Sequence, residues 1–257
     1  AGQPPKCHNS LHSHRTAEVF FVLSGRWRFF WGRYGKAGEV ILEKGDIFNI
    51  PTGIFRGFEN IGENYGMIMA ILGGNDAGGG VIWAPEVLKE AENHGLILSE
   101  KGKIYDTKKG QKLPTNVNLM QPLSENELKN FPEYSSAEVV PHYVARYLDL
   151  YSLSQDKPAK VIGEKGKIFD KPGFEVEFIT DKSFMNSKKI YQKDVVFMPV
   201  EGYWKLNSEN YNLILNPGDT FSLPKNNDYR LEPTKPGIAT MYKVIPTNDK
   251  PGPTHRK

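Results

Sequence analysis

His8, His12 and His14 are three of the six histidines in the chain, and they fall within seven residues, with Glu18 close behind. In an extended strand successive side chains alternate faces, so His12, His14 and Glu18 share one parity and can point the same way. Two imidazoles and a carboxylate converging on one point make a first-row metal site, most simply the two-His-one-carboxylate arrangement of non-haem iron. On an exposed strand the same residues would be no more than a polar face. The run Glu18-Val-Phe-Phe-Val-Leu argues for the metal, because a strand this apolar is buried and buried histidines beside a carboxylate need partners.

The elements that must position these residues are short strands. Residues 1–11, with Pro4-Pro5, read as an entry loop. Strands are expected at 16–23, 26–31, 39–42, 47–50, 56–60 and 65–72, separated by Gly25, the Gly-rich 32–38 stretch, Lys44-Gly45-Asp46 and Pro51-Thr-Gly53. This spacing, with almost no helical periodicity, reads as an antiparallel barrel or sandwich. Gly73–Gly80 reads as a flexible loop, and Pro85–Asn93 as a helix with proline near its start and Gly95 as its stop. Short strands fit 96–98 and 103–105, and 106–120 reads as a linker. Ser124-Glu-Asn-Glu127 is a capping box that opens a short helix to about Asn130. Later strands are expected at 144–150, 161–162, 174–180, 194–198, 203–206, 211–215, 220–223 and 238–245. The tail from Pro246 has a disordered composition.

Bulk properties narrow the partners. With 257 residues, 39% hydrophobic and 25% charged, the chain has the composition of one large or two ordinary globular domains. A net charge of +3 with scattered lysines marks neither a nucleic-acid nor a membrane surface. One cysteine, Cys7, excludes an internal disulfide framework and a Cys-rich zinc site. No apolar run is long enough to span a bilayer. The chain starts at Ala1 and shows no secretory leader, a start that leaves a trimmed leader or an incomplete sequence open; a cytoplasmic location is the expectation.

One half of the chain aligns on the other. Glu18-Val-Phe-Phe-Val-Leu-Ser-Gly25-Arg-Trp27 matches Asp194-Val-Val-Phe-Met-Pro-Val-Glu-Gly202-Tyr-Trp204 with one inserted residue, and Gly45-Asp-Ile-Phe-Asn-Ile-Pro51 matches Gly218-Asp-Thr-Phe-Ser-Leu-Pro224 without a gap. Arg56 then lies near Arg230. In this alignment His12 and His14 fall opposite Lys188 and Ile190, and Glu18 opposite Asp194, so the second copy keeps the turns and loses the histidines. A duplicated barrel plan is the economical reading. It places a first barrel with the metal site at 1–110, a linker with a short helix at 111–135, a degenerate second barrel at 136–246 and a tail at 247–257.

These residues resemble the cupin superfamily, and the duplication resembles a bicupin. The family's first motif is written G(X)5HXH(X)3–4E(X)6G. From the first histidine the chain follows it: His12, His14, Glu18 and Gly25, with only the leading glycine absent. The second motif is G(X)5PXG(X)2H(X)3N, and Gly45, Pro51, Gly53 and Asn60 fall in register. Arg56 stands where the family's fourth ligand, a histidine, is expected. The resemblance implies an all-β fold of two jelly-roll barrels with short connecting helices. It also implies a divalent metal, Fe(II) first, with manganese, nickel or zinc as alternatives.

A guanidinium has no lone pair to give a metal, so the family's three-His-one-Glu cage is incomplete. Three outcomes follow. His12, His14 and Glu18 hold the metal alone, with the remaining positions open; His8 adds a further nitrogen; or the barrel binds a ligand without metal. The first is preferred. Arg56 is well shaped to anchor a substrate carboxylate through two parallel hydrogen bonds, and equally able to pair internally with Glu18 or Glu59. Phe20, Val22, Phe58, Trp27, Phe29 and Trp31 belong to the barrel core or line its lumen. His94 and His142 read as ordinary structural or surface residues, and His255 lies in the tail. Within the range the resemblance implies, the expectation is a metal-dependent enzyme, first a dioxygenase for a small, carboxylated molecule. A lyase or isomerase and a non-enzymatic binding or storage protein are the alternatives. A homodimer is compatible with exposed barrel edges.

Overall fold

In the computed structural model the described residues are 1–73, 81–168, 170–183, 189–235 and 237–247. The glycine-rich stretch from residue 74 to 80, Lys188, and the tail from 248 with His255 lie outside them. The fold is all-β, as the spacing of strand signals leads one to expect.

The chain opens with β1 (Gly2–Gln3), β2 (His12–Ser13), β3 (Glu18–Ser24), β4 (Arg26–Trp31), β5 (Gly38–Glu43), β6 (Ile47–Ile50), β7 (Arg56–Asn60), β8 (Gly66–Leu72) and β9 (Ile82–Trp83). There follow α1 (Pro85–Asn93), β10 (Leu96–Leu98), β11 (Ile104–Asp106), α2 (Glu125–Leu128), α3 (Ser136–Tyr143), β12 (Val144–Ala145) and α4 (Tyr147–Leu153). The remainder is β13 (Ala159–Ile162), β14 (Phe174–Thr180), β15 (Lys189–Ile190), β16 (Val195–Glu201), β17 (Trp204–Asn207), β18 (Asn212–Leu215), β19 (Phe221–Leu223), β20 (Asp228–Pro233) and β21 (Thr240–Pro246).

The duplication is visible in the topology. The first barrel is built from sheets ordered β1-β8-β3-β6-β12 and β5-β4-β7-β2-β9. The second is built from β13-β14-β21-β16-β19 and β15-β20-β17-β18. The orders β8-β3-β6 and β21-β16-β19 correspond, as do β5-β4-β7-β2 and β18-β17-β20-β15. Both copies carry a register shift at the same place, between Val22 and Ser24 in β3 and between Pro199 and Glu201 in β16.

The unbroken apolar run of β3 follows from burial on both faces. Phe20 and Val22 point into the first barrel, among Trp27, Phe29, Trp31, Phe48 and Phe58. Val19 and Phe21 point the other way, into a core shared with Phe178, Met198 and Tyr242 of the second barrel. The aromatic residues read from the sequence as core or lumen are thus barrel core: Trp27, Phe29 and Trp31 are fully buried. A separate core around Phe197, Trp204, Leu206 and Leu231 fills the second barrel.

Several expectations need correction. The segment 144–150 is not one strand: Val144–Ala145 pairs with β6, and Tyr147–Leu153 is helical. Its apolar residues Tyr147, Leu150 and Tyr151 recur at i, i+3 and i+4, which puts them on one helical face against the core between the barrels. Helix α3 was not expected. Its capping box, Ser135 with Glu138, has the same form as that of Ser124 with Glu127 at α2, but Pro141 inside the segment hides the helical pattern. The strands β1, β9, β15 and β20 also fall outside the expected spans. No helix among the described residues is long and apolar enough to cross a membrane.

Candidate metal centre

Strand β2 carries His12, and His14 follows directly after its end. The strand is only two residues long but pairs on both sides, His12 opposite Arg56 of β7 and opposite Trp83 of β9. Arg56 is in turn opposite Trp31 of β4. Residues directly opposite in a sheet share a face. Trp31, Arg56, His12 and Trp83 therefore form one row across four strands, on the inner face of the first barrel. The Ser13 hydroxyl points away and donates to the Gly53 carbonyl at 2.9 Å, which ties β2 to the Pro51–Gly53 turn. Glu18 comes from the first residue of β3, on the facing sheet.

His12, His14 and Glu18 each present one ligand atom, and these atoms all lie within 4.8 Å of one another. All three residues are buried, each with 7% of its surface exposed. His12 Nδ1 lies 2.7 Å from the Ser10 carbonyl oxygen. A carbonyl only accepts, so Nδ1 carries the proton and Nε2 keeps the lone pair, the tautomer a metal ligand needs. The His14 Nε2 is 3.8 Å from Glu18 Oε2, and its buried Nδ1 has no hydrogen-bond partner among the described residues. The two imidazole rings meet edge to face, with centroids 5.0 Å apart.

Arg56 joins the cluster through Glu18. It is 1% exposed, and its Nε donates to Glu18 Oε2 at 3.1 Å while Nη2 donates to the same oxygen. Of the two internal pairings open to it, the structure has the one with Glu18; Glu59 is taken by Arg28 at 3.1 Å. Both guanidinium donors converge on one carboxylate oxygen, which leaves Oε1 outside the pair.

The electrostatics favour neutral imidazoles. Burial pulls the His14 pKa down, and the positive charge of Arg56 adds to this against the opposing Glu18, so the group titrates at about 4. His12 is lowered for the same two leading reasons, burial and Arg56. Neutral histidines are donors to a metal, and protonated ones are not. Two neutral imidazoles, a carboxylate oxygen left outside the ion pair and an unpartnered buried nitrogen form a donor set that suits a first-row divalent ion.

The remaining candidates separate cleanly. His8 is exposed, with its backbone paired to that of Glu59 in an isolated antiparallel bridge, and it is not among the clustered residues. His94 is exposed, with Nδ1 2.9 Å from its own helix's Glu90 carbonyl, and His142 is exposed on α3. Sequence reasoning passed over Trp83 and Ser10, which contact His12 and are not part of the donor cluster. The signal for Trp83 was a β-favouring Val81-Ile-Trp run just before Pro85.

The register also corrects the alignment of the copies. His12 pairs with Arg56, and the corresponding pair in the second barrel is Lys189 with Tyr229. Glu18 pairs with Ile50, and Val195 with Leu223. The counterparts of His12, Glu18 and Arg56 are therefore Lys189, Val195 and Tyr229, each one residue from the expected Lys188, Asp194 and Arg230. Matching carboxylate to carboxylate forced a one-residue slip, and in a strand such a slip exchanges faces. Asp194 is exposed and accepts from the Lys225 backbone N–H at 2.8 Å. Arg230 is also on the surface, 3.4 Å from Glu232.

Comparison with known proteins agrees with this architecture. Residues 3–72 match the family model described as cupin domain. No curated protein sequence matches the chain. Among solved structures, an oxalate decarboxylase variant of Bacillus subtilis superposes with a TM-score of 0.56 at 13% identity, over 96% of this chain and 68% of its own. The oxalate decarboxylase of Lactobacillus farciminis in complex with formate gives 0.53 at 16% identity, over 97% and 76%. A salicylate 1,2-dioxygenase from Pseudaminobacter salicylatoxidans gives 0.57 at 12% identity, over 95% and 69%. At these identities the likeness is one of fold.

Proposed function

We propose that this protein, whose first barrel is a cupin domain and whose chain has the two-barrel cupin fold, is a metal-dependent enzyme. It acts at His12, His14 and Glu18 on a small, carboxylated organic molecule. The observation that carries the reading is the buried cluster of donor atoms within 4.8 Å, with its imidazoles held neutral. The bound ion, with Fe(II) the first choice and manganese, nickel or zinc the alternatives, would supply Lewis acidity and, with positions left open by three protein ligands, a place for oxygen to react.

The residues of the chain define the rest. Ser10 fixes the tautomer of His12 through its carbonyl. Arg56 holds Glu18 by one oxygen and orients the other. Its charge also bears on the substrate. Glu18 neutralises Arg56, and Glu18 is the only carboxylate of the cluster, so a divalent ion leaves the site with an excess of positive charge. In a buried site such an excess is relieved by an anionic ligand. A substrate carboxylate fits, with the ion and the guanidinium as its two attractors. A reaction that uses oxygen is the first choice, in line with the dioxygenase among the structural neighbours; decarboxylation of a small acid is the alternative, in line with the oxalate decarboxylases.

A second reading has its own support. Glu18 already has a cationic partner in Arg56, which suits a barrel that only binds a ligand. Metal analysis of protein prepared with and without air separates the two. About one ion per chain, lost in His12→Ala, is expected, together with oxygen uptake on a panel of small carboxylic acids. Absence of bound metal in both preparations overturns the enzyme reading in favour of the ligand-binding one.

A further inference from the structure

Beyond Trp83, at the end of the row that carries Arg56 and His12, the segment from β9 to β11 builds a pocket of about 160 Å³. Trp83, Leu88, Ala91, Ile97 and Ile104 are among its walls, and Ser10 is the one polar residue of its lining. The volume is informative. An engineered apolar cavity of about 150 Å³ holds one benzene ring. The pocket is therefore the size of one six-membered ring, and its lining offers almost nothing to a polar ligand.

Two further observations tie this pocket to the candidate centre. Trp83 lines it and also faces His12, with ring centroids 5.5 Å apart and an interplanar angle of 45°. Ser10 lines it and also accepts the His12 Nδ1 proton. Both partners of His12 on this side are thus shared between the pocket and the cluster. The walls are moreover left half covered. Helix α1 has no buried residue, although Val87, Leu88 and Ala91 lie on one side of it, and Leu96, Ile97 and Leu98 of β10 are all half-buried. Apolar side chains that approach one another without closing leave room for an apolar guest.

We propose that this pocket is a binding site for a ring-sized, uncharged molecule or group, on the side of Trp83 away from His12. Trp83 and Ser10 are the contacts through which an occupant bears on His12. That bearing on the centre rests on the proposed metal-dependent reading, but occupancy of the pocket does not, and it is tested without metal.

The probe is benzyl alcohol, a neutral single ring, titrated into metal-free and metal-loaded protein with tryptophan fluorescence as the readout. Of the four tryptophans, Trp27, Trp31 and Trp204 are fully buried and Trp83 is half-buried, so a guest in the pocket reports through Trp83. The expected result is a saturable change in both preparations, persisting in Glu18→Gln, which impairs the metal site and leaves the pocket intact. Ala91→Phe fills the pocket from α1, and Ile104→Phe fills it from the more exposed side. In whichever of these keeps the wild-type melting temperature, affinity should drop about tenfold or more, the loss expected when a ring is no longer buried. No saturable change, or affinity unchanged in both filled variants, overturns the proposal. Ring binding without metal uptake would leave the pocket standing and remove the metal-dependent reading alone.

Discussion

The two barrels share strand order, bulges and turns, and differ most where the first gathers its polar residues. At the positions of His12, His14, Glu18 and Arg56 the second barrel carries Lys189, Tyr191, Val195 and Tyr229. It also has Lys243 where the first has Ala70, each opposite the matching phenylalanine of its neighbour strand. Lys243 is 5% exposed, with its ammonium 2.5 Å from Glu177 and 2.8 Å from the Tyr191 hydroxyl. Tyr191 stacks on Tyr229, with ring centroids 5.3 Å apart and planes at 18°. One barrel thus gathers lone pairs within 4.8 Å of one another, and the other fills the same place with its own cation and two stacked rings. The fold accepts either solution, so the cluster of the first barrel is not something that the architecture requires. Its buried polar residues need another reason, and the proposed ion would supply one.

The sharpest way to break this comparison is to remove the fixed cation from each barrel. Arg56→Ala strands Glu18 as a buried, unpaired carboxylate, which should cost about 3–5 kcal/mol in metal-free protein. Lys243→Met should cost less, about 1–2 kcal/mol, because Glu177 has 20% of its side chain exposed and water can take over. A divalent ion should restore much of the loss in Arg56→Ala, since it replaces the guanidinium as the partner of Glu18, and none of the loss in Lys243→Met. Urea denaturation of both variants, with and without metal, measures this. Equal rescue of the two, or rescue of neither, would mean that the barrels do not differ in the way their side chains indicate.

Titration separates the barrels next. His14 titrates at about 4 in the folded state, against an ordinary histidine value of 6.5. As pH falls through 6.5 the unfolded chain takes a proton that the folded chain refuses, so stability is lost down to about pH 4 and His14 contributes no further slope below that. For this one group the loss is on the order of 3 kcal/mol. The second barrel should respond at the other end of the scale. Burial, reinforced by Tyr191, raises the Tyr229 pKa, so its hydroxyl keeps its proton where the unfolded chain has lost it. Burial opposes the charge of Lys243, but Glu177 and Tyr191 outweigh it and the net shift is upward. Both contributions are therefore present at neutral pH and lost as pH rises beyond 10. Hydrogen exchange of β2 and β7 against β15 and β20 across this range checks the assignment. His14→Gln should flatten the acid limb and leave the alkaline one unchanged.

Much of the first barrel's cluster was legible in the sequence from residue types, motif spacing and the apolar run that follows Glu18. The parity of a single strand is not what joins it: the chain leaves strand conformation between Ser13 and Glu18, so His12 in β2 and Glu18 in β3 meet across the barrel from facing sheets. The pairing of Arg56 with Glu18 was not legible, since the choice among Glu18, Glu59 and a ligand depends on which strands are neighbours. The slip in aligning the copies has a similar origin. Similarity of side chains drew Asp194 onto Glu18, whereas the pleat, anchored at Gly25 and Gly202, puts Val195 there. Helix α4 was lost for a different reason. Tyr147, Leu150 and Tyr151 have helical spacing, but the segment follows directly on the β-favouring Val144–Ala145, and a short apolar stretch satisfies both periods.

The smallest effect concerns a turn that the copies hold in common. Gly45 and Gly218 both precede an aspartate that closes the turn, with Asp46 accepting from the Glu43 N–H at 3.0 Å and Asp219 from the Asn216 N–H at 2.7 Å. Both glycines have a left-handed backbone, with φ of 86° and 91°, so alanine costs about 1–2 kcal/mol at either position from conformation alone. Their surroundings differ. A Cβ at Gly218 would meet nothing within 4 Å, whereas one at Gly45 would lie 2.4 Å from Tyr147 Cδ2, where α4 covers the turn between the barrels. Gly218→Ala should therefore lose only the conformational contribution, and Gly45→Ala should lose that and the displacement of Tyr147 as well. Paired urea denaturation of the two variants reads the difference. If the two losses are equal, Tyr147 yields freely, and the contact between α4 and the turn holds the barrels together less firmly than its burial indicates.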